Sequence, residues 1–126
     1  MKKLIVDLDG TITLANTTNY DEVLPNVELI EKLRTYQQEG FEITIATARN
    51  MRTYDGNVGK INANTLPVIL TWLKRHNVPY DEIIVGKPWC GYEGFYIDDR
   101  AIRPSEFIAL TKEEISTLID KEKKCI

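Results

Sequence analysis

Six polar groups in this chain stand where short apolar runs end. Asp7 and Asp9 close LIVDLDG, Thr47 closes EITIAT, Lys87 follows IIVG, and Asp98 with Asp99 closes GFYIDD. Taken singly, each has an ordinary structural reading. Asp9-Gly10 between LIVDL and TITL is a tight-hairpin signal, Thr47 suits a cap, Lys87 a solvated loop, and Asp98-Asp99 a polar turn. Taken together, they deliver acids, a hydroxyl and an ammonium from four distant segments. Residues i and i+2 of a strand face the same way, about 6.6 Å apart, so Asp7 and Asp9 are expected on one side. Carboxylates that converge uncompensated repel one another, and a hard divalent cation such as Mg²⁺ offsets them with oxygen ligands. A site with that cation, a lysine, a hydroxyl and backbone amides suits a phosphoryl group. One carboxylate can attack phosphorus, while the second protonates the leaving oxygen and then deprotonates a water.

Such groups meet only if the elements carrying them run the same way. Apolar runs at 3–8, 42–46, 82–85, 95–97 and 107–109 read as five strands. They are β-branched or aromatic and nearly continuous, as in parallel strands. Helical patterns lie between them. PNVELIEKLRTYQQEG places Val27, Ile30, Leu33 and Tyr36 on one stripe, with Pro25 at its start and Gly40 as its stop. TLPVILTWLKRHN places Leu66, Ile69, Leu70 and Leu73 on another. Thr111 with Glu114 forms a capping box before the last helix. Alternating strands and helices predict an α/β sandwich whose parallel strands all end on one edge, where ligands bind in open sheets. The stretch 50–64, NMRTYDGNVGKINAN, reads as a polar loop following the second strand. Arg49, Arg52 and Lys60 in or beside it are candidates to bind an anionic substrate. Trp89 and Tyr92 suit packing better than stacking on a sugar or base.

Length and composition bound the rest. At 126 residues, with 43% hydrophobic and 28% charged residues, the chain reads as one domain, 1–126. A net charge of -3 gives no footprint for nucleic acid or an anionic membrane. Cys90 and Cys125 read as unpaired thiols of a reducing cytoplasm. There is no run of about 18 apolar residues and no signal-peptide pattern, so a cytoplasmic protein is expected. The single histidine, His76, sits near a helix end and reads as structural. No P-loop or dinucleotide fingerprint is present.

The motifs resemble those of the haloacid dehalogenase superfamily. LIVDLDGT matches its D-x-D-G-T motif, ITIAT its strand ending in Thr or Ser, VGKP its lysine, and GFYIDD its paired acids. All four occur in the family's order and span most of the chain. The resemblance implies a Rossmann-like three-layer α/β/α sandwich with a mainly parallel five-stranded sheet, the first strand central. It also implies roles. Asp7 is the nucleophile and a metal ligand; Asp9 is the general acid/base and binds the metal through its carbonyl. Thr47 and Lys87 hold the phosphate, with Gly10, Thr11 and Ala48 beside it. Asp98 completes a Mg²⁺ site, with Asp99 behind it or bound through water. An acid at position 9 points to the superfamily's phosphatases.

Only 37 residues separate Asp9 from Thr47, just enough for a flap over 11–23 and one helix, and 39 separate Thr47 from Lys87, so neither gap can house a cap domain. Uncapped members of the superfamily take bulky substrates or cover the site by forming a homo-oligomer. The stretch ATARNMRTYDGNVGKIN also resembles phosphatases of capsular polysaccharide biosynthesis, which implies a phosphorylated sugar or related metabolite as substrate. The competing class is a non-hydrolytic phosphoacceptor of receiver type. Its acids come first and its lysine last, whereas Lys87 precedes Asp98 and Asp99.

Overall fold

The computed structural model describes residues 1–14 and 19–126. The flap expected over 11–23 therefore lies partly outside the described residues. Two compact units divide the chain, Met1–Trp89 and Cys90–Ile126.

The first unit is built on three parallel strands, β1 (Lys3–Val6), β2 (Glu42–Thr47) and β3 (Glu82–Val85), in the order β1-β2-β3. Lys3 pairs with Glu42 and Val6 with Ile45; Thr44 pairs with Glu82 and Thr47 with Val85. The ends that carry Asp7, Thr47 and Lys87 thus fall on one edge, as the strand reading requires. β2 occupies the middle, and β1 is an edge strand of this sheet. The family layout with a central first strand is not the pairing found here.

Three helices connect the strands: α1 (Val27–Gln38), α2 (Val58–Asn64) and α3 (Leu66–Arg75). Right-handed crossovers between strands that follow one another in sequence place all their helices on one face of the sheet. Burial agrees. Leu4, Val6, Ile43, Ile45, Ile83 and Val85 share a face by register, and Ile43 and Ile45 are fully buried there with Leu29, Leu33, Ile69 and Leu73. Ile5 and Ile84, on the opposite face, are 71% and 51% exposed. Lys3 and Glu82 span that face 2.7 Å apart, and the Thr44 hydroxyl donates to Glu82 at 2.6 Å.

Local chemistry explains the helix ends. The Asn26 side chain accepts from the Leu29 N–H, a capping bond that starts α1, and Gly40 at φ 96° follows its end. Val27, expected on the buried stripe, is exposed because it stands in the first turn; Leu29 takes its place inside. In α3, Trp72 is buried where Leu70 was expected, and Leu70 is exposed. The Trp72 indole N–H donates to the Val23 carbonyl at 2.9 Å, tying α3 to the chain before α1. The stretch 50–64 is not wholly loop. Turns fill 50–56, then Asn57 caps α2 by accepting from Lys60 N–H at 3.1 Å.

The second unit holds α4 (Pro104–Ala109) and α5 (Lys112–Cys125). Neither strand expected here forms. Residues 95–97 lie outside any ladder, with Phe95 and Ile97 largely exposed. Three apolar residues between Gly94 and the Asp98 turn are too few to specify a strand alone. Residues 107–109 belong to α4 because Pro104 opens a helix and the Arg103 N–H donates to Glu106 Oε1 at 2.8 Å. The capping box of α5 forms as read: Glu114 N–H to Thr111 Oγ1 at 3.1 Å, and Thr111 N–H to Glu114 Oε1 at 2.9 Å. Cys90 and Cys125 are free thiols. Among the described residues, no helix is long and apolar enough to cross a membrane.

Candidate functional site

β1 ends one residue before Asp7, and Asp7 itself stays extended at φ -70° and ψ 156°. Asp9 does not continue the strand. Its φ -71° and ψ 124°, followed by Gly10 at φ 78° and ψ 7°, are the central angles of a type II turn. The strand-spacing argument for the two acids therefore does not apply. A turn, not a continuing strand, leads from Asp7 to Asp9, and glycine at position 10 meets the turn's positive φ without steric cost. Thr13 N–H closes the loop on the Leu8 carbonyl at 3.0 Å, and Gly10 N–H donates to Thr13 Oγ1 at 3.1 Å. Leu14 N–H then bonds to the Leu24 carbonyl, and Asn26 N–H to the Ile12 carbonyl, each at 2.8 Å. These bonds pair 12–14 with 24–26, rather than LIVDL with TITL as a tight hairpin at Asp9-Gly10 would.

Both Asp7 oxygens have partners among the described residues. The Thr11 hydroxyl donates to Oδ2 at 3.3 Å, and the Lys87 ammonium lies 3.4 Å from Oδ1. Both contacts are long, so the carboxylate is oriented without being tightly consumed. Lys87 arrives through Gly86, whose φ of 84° bends the chain at the end of β3, and through its own N–H, which bonds to the Thr47 carbonyl at 3.1 Å. Thr47 is buried at the end of β2, and its hydroxyl accepts from Arg49 N–H at 3.1 Å. Ala48 joins the same turn, its carbonyl accepting from Met51 N–H at 3.0 Å. Asp7, Asp9, Thr47, Lys87, Gly10, Thr11 and Ala48 thus lie at one edge of the first unit.

Arg49, a candidate from the sequence to bind an anionic substrate, is buried rather than set in an open loop. Its side chain is 1% exposed and grips Asp9 at both oxygens, Nε to Oδ2 at 3.0 Å and Nη2 to Oδ1 at 2.7 Å. The ring of Tyr20 lies 4.1 Å from the guanidinium carbon. Asn50, next in sequence, adopts φ 62° and accepts from the Thr65 hydroxyl at 2.7 Å, which anchors this turn to the start of α3. Arg52 and Lys60 are exposed, in the turn and on α2 respectively. Sequence reasoning missed the Arg49–Asp9 pair and Tyr20; the four-residue reach from Thr47 to Asn50 is its nearest signal.

The carboxylate of Asp7 offers oxygen alone, which suits a hard cation better than a soft one. Within the first unit no third acid, histidine or cysteine among the described residues completes a metal-holding group around the two aspartates. In the second unit, Asp98 Oδ1 accepts from Arg100 N–H at 2.9 Å, and Asp98 and Asp99 border an open hollow with Glu106, Leu118 and Glu122.

A family model for haloacid dehalogenase-like hydrolases matches residues 4–123. The chain belongs to that family. This hydrolase is also similar to a Vibrio cholerae protein of known crystal structure, with 69% identity, 97% of this chain and 99% of that chain covered, and a TM-score of 0.95. No curated protein matches it. The α/β fold with a parallel sheet and no cap accords with the family. Both long stretches between the strand ends of this hydrolase fall inside one compact unit.

Proposed function

We propose that this hydrolase is a Mg²⁺-dependent phosphomonoesterase that acts through an aspartyl-phosphate. The observation that carries the reading is Asp7, set at a strand end between the Thr11 hydroxyl and the Lys87 ammonium, with Asp9 two residues on. A carboxylate oxygen of Asp7 attacks phosphorus and the bond to the ester oxygen breaks. Asp9, as the acid, protonates that leaving oxygen. Asp9, then a carboxylate, takes a proton from water; the water oxygen attacks phosphorus, the bond to Asp7 breaks, and inorganic phosphate leaves. Lys87 offsets the negative charge of the phosphoryl group and keeps Asp7 directed at it. Thr47, fixed by its buried strand end, and the backbone around Gly10, Thr11 and Ala48 line the phosphate position.

Asp7 and the carbonyl of Asp9 would hold Mg²⁺, and Asp98 and Asp99 are assigned to the ion by the motif in which they stand. When bound, the ion offsets charge on the phosphoryl oxygens. The likeness to capsule phosphatases favours a phosphorylated sugar or related metabolite as the substrate. A chain of 126 residues without room for a cap domain suits a single-domain enzyme whose open site is covered by a second copy in a homo-oligomer, and unpaired cysteines suit the cytoplasm. Hydrolysis of p-nitrophenyl phosphate tests the reaction class. Phosphate release that requires Mg²⁺ and stops with EDTA is expected; release unaffected by EDTA, or none with any phosphate ester in a metabolite screen, contradicts it.

A further inference from the structure

Arg49 holds a donor that the reaction above leaves unused. Nε and Nη2 are both engaged by Asp9, yet Nη1 is buried and has no hydrogen-bond partner among the described residues. Native proteins seldom leave a buried polar N–H idle, because desolvation is then uncompensated, and each exception calls for an explanation. Slack in the side chain does not provide one. The Arg49 N–H is fixed on Thr47, Tyr20 lies against the guanidinium, and Asn50 is tied to Thr65. Asp9 takes the Nε–Nη2 edge of the fork. The end of the fork, where Nη1 stands beside the second N–H of Nη2, matches the two oxygens of a further carboxylate.

We propose that Arg49 is a specificity contact for the substrate: Nη1 takes a carboxylate of the ester, remote from the phosphoryl group, while Nε and Nη2 keep hold of Asp9. The favoured substrates are then phosphorylated acids, in the sense of sugar or polyol phosphates bearing a carboxylate. One planar cation would join the proton donor to the far end of the substrate, so a ligand lacking the carboxylate leaves Nη1 unpaired and is discriminated against. This rests on the phosphomonoesterase reading.

A matched pair of esters separates the two claims. 3-Phosphoglycerate and glycerol 3-phosphate differ in a carboxylate against a hydroxymethyl group, and calorimetric titration with Mg²⁺ into the Asp7→Asn protein measures both without turnover. The expected result is binding of 3-phosphoglycerate about tenfold or more tighter. Adding Arg49→Met should bring that ratio close to one, and Arg49→Lys, which keeps the charge but not the fork, part of the way. Equal affinity in the Asp7→Asn protein, or a ratio unchanged by both Arg49 variants, overturns the inference and leaves the reaction class standing. A purely structural Arg49 would weaken both esters alike and hold the ratio. If neither ester binds, the phosphate site fails and the inference with it.

Discussion

The ammonium of Lys87 lies 3.4 Å from Oδ1 of Asp7, although the two residues are 80 positions apart. Both side chains are partly exposed, so solvent screens the pair and its worth to stability is small. In the proposed reaction its worth is larger, because a fixed cation acts on charge as it develops. Lys87→Met should lower phosphate release about 100-fold or more while shifting the urea midpoint little. Activity close to wild type would remove Lys87 from the site.

Gly86 delivers that lysine. An added Cβ would meet Val58 Cγ2 at 3.0 Å, and the φ of 84° is one that side-chain-bearing residues rarely adopt. Gly86→Ala should cost about 1–2 kcal/mol of stability and reduce activity by displacing Lys87. Thermal unfolding and initial rates read the two effects separately.

The Arg49–Asp9 pair has one fully buried member and one, Asp9, whose side chain is 36% exposed. Removing one partner of a fully buried pair costs about 3–5 kcal/mol. Here Asp9 can reach water, so Arg49→Met should cost less, about 1–3 kcal/mol. Denaturant unfolding checks this, and an unchanged midpoint would contradict the pairing.

His76 packs against Trp72, ring centroids 4.5 Å apart, and burial, followed by the charge of Arg75, lowers its pKa below the ordinary 6.5. A proton therefore binds the unfolded chain more readily. The His76 contribution is present above the unfolded value and is lost as pH falls through the folded one. Melting temperatures taken from about pH 8 down to about pH 5 should fall for the wild type and fall less for His76→Gln. Glu82 titrates separately and later. Its carboxylate, held below 4.5 by hydrogen bonds from Lys3 and Thr44, gives up its contribution only in stronger acid.

The strand ends at the candidate site were legible because periodicity and parallel order act locally: β1 and β3 lie within the apolar runs that announced them, and β2 runs one residue past its own. The capping box at Thr111 and Glu114 was legible for the same reason. Phe107-Ile108-Ala109 misled because its apolar run is shared by strands and helices, and Pro104 with Glu106 decided the matter. α2 was hidden by a glycine and two asparagines in VGKINAN, although Asn57 marked its start. The Arg49–Asp9 bond spans 40 positions, and no local pattern encodes a contact that only the folded β1–β2 pairing creates. Asp9 was expected to face the same way as Asp7 by strand geometry, but Gly10 turned the chain first.

The central claim is that Asp7 forms a covalent bond to phosphorus, and the Asp7→Asn protein tests it most directly. Its Mg²⁺-dependent phosphate release should fall by at least about a thousandfold, since an amide cannot replace the attacking carboxylate. The far-ultraviolet circular dichroism should be unchanged. Wild-type turnover by a folded Asp7→Asn protein would contradict the account.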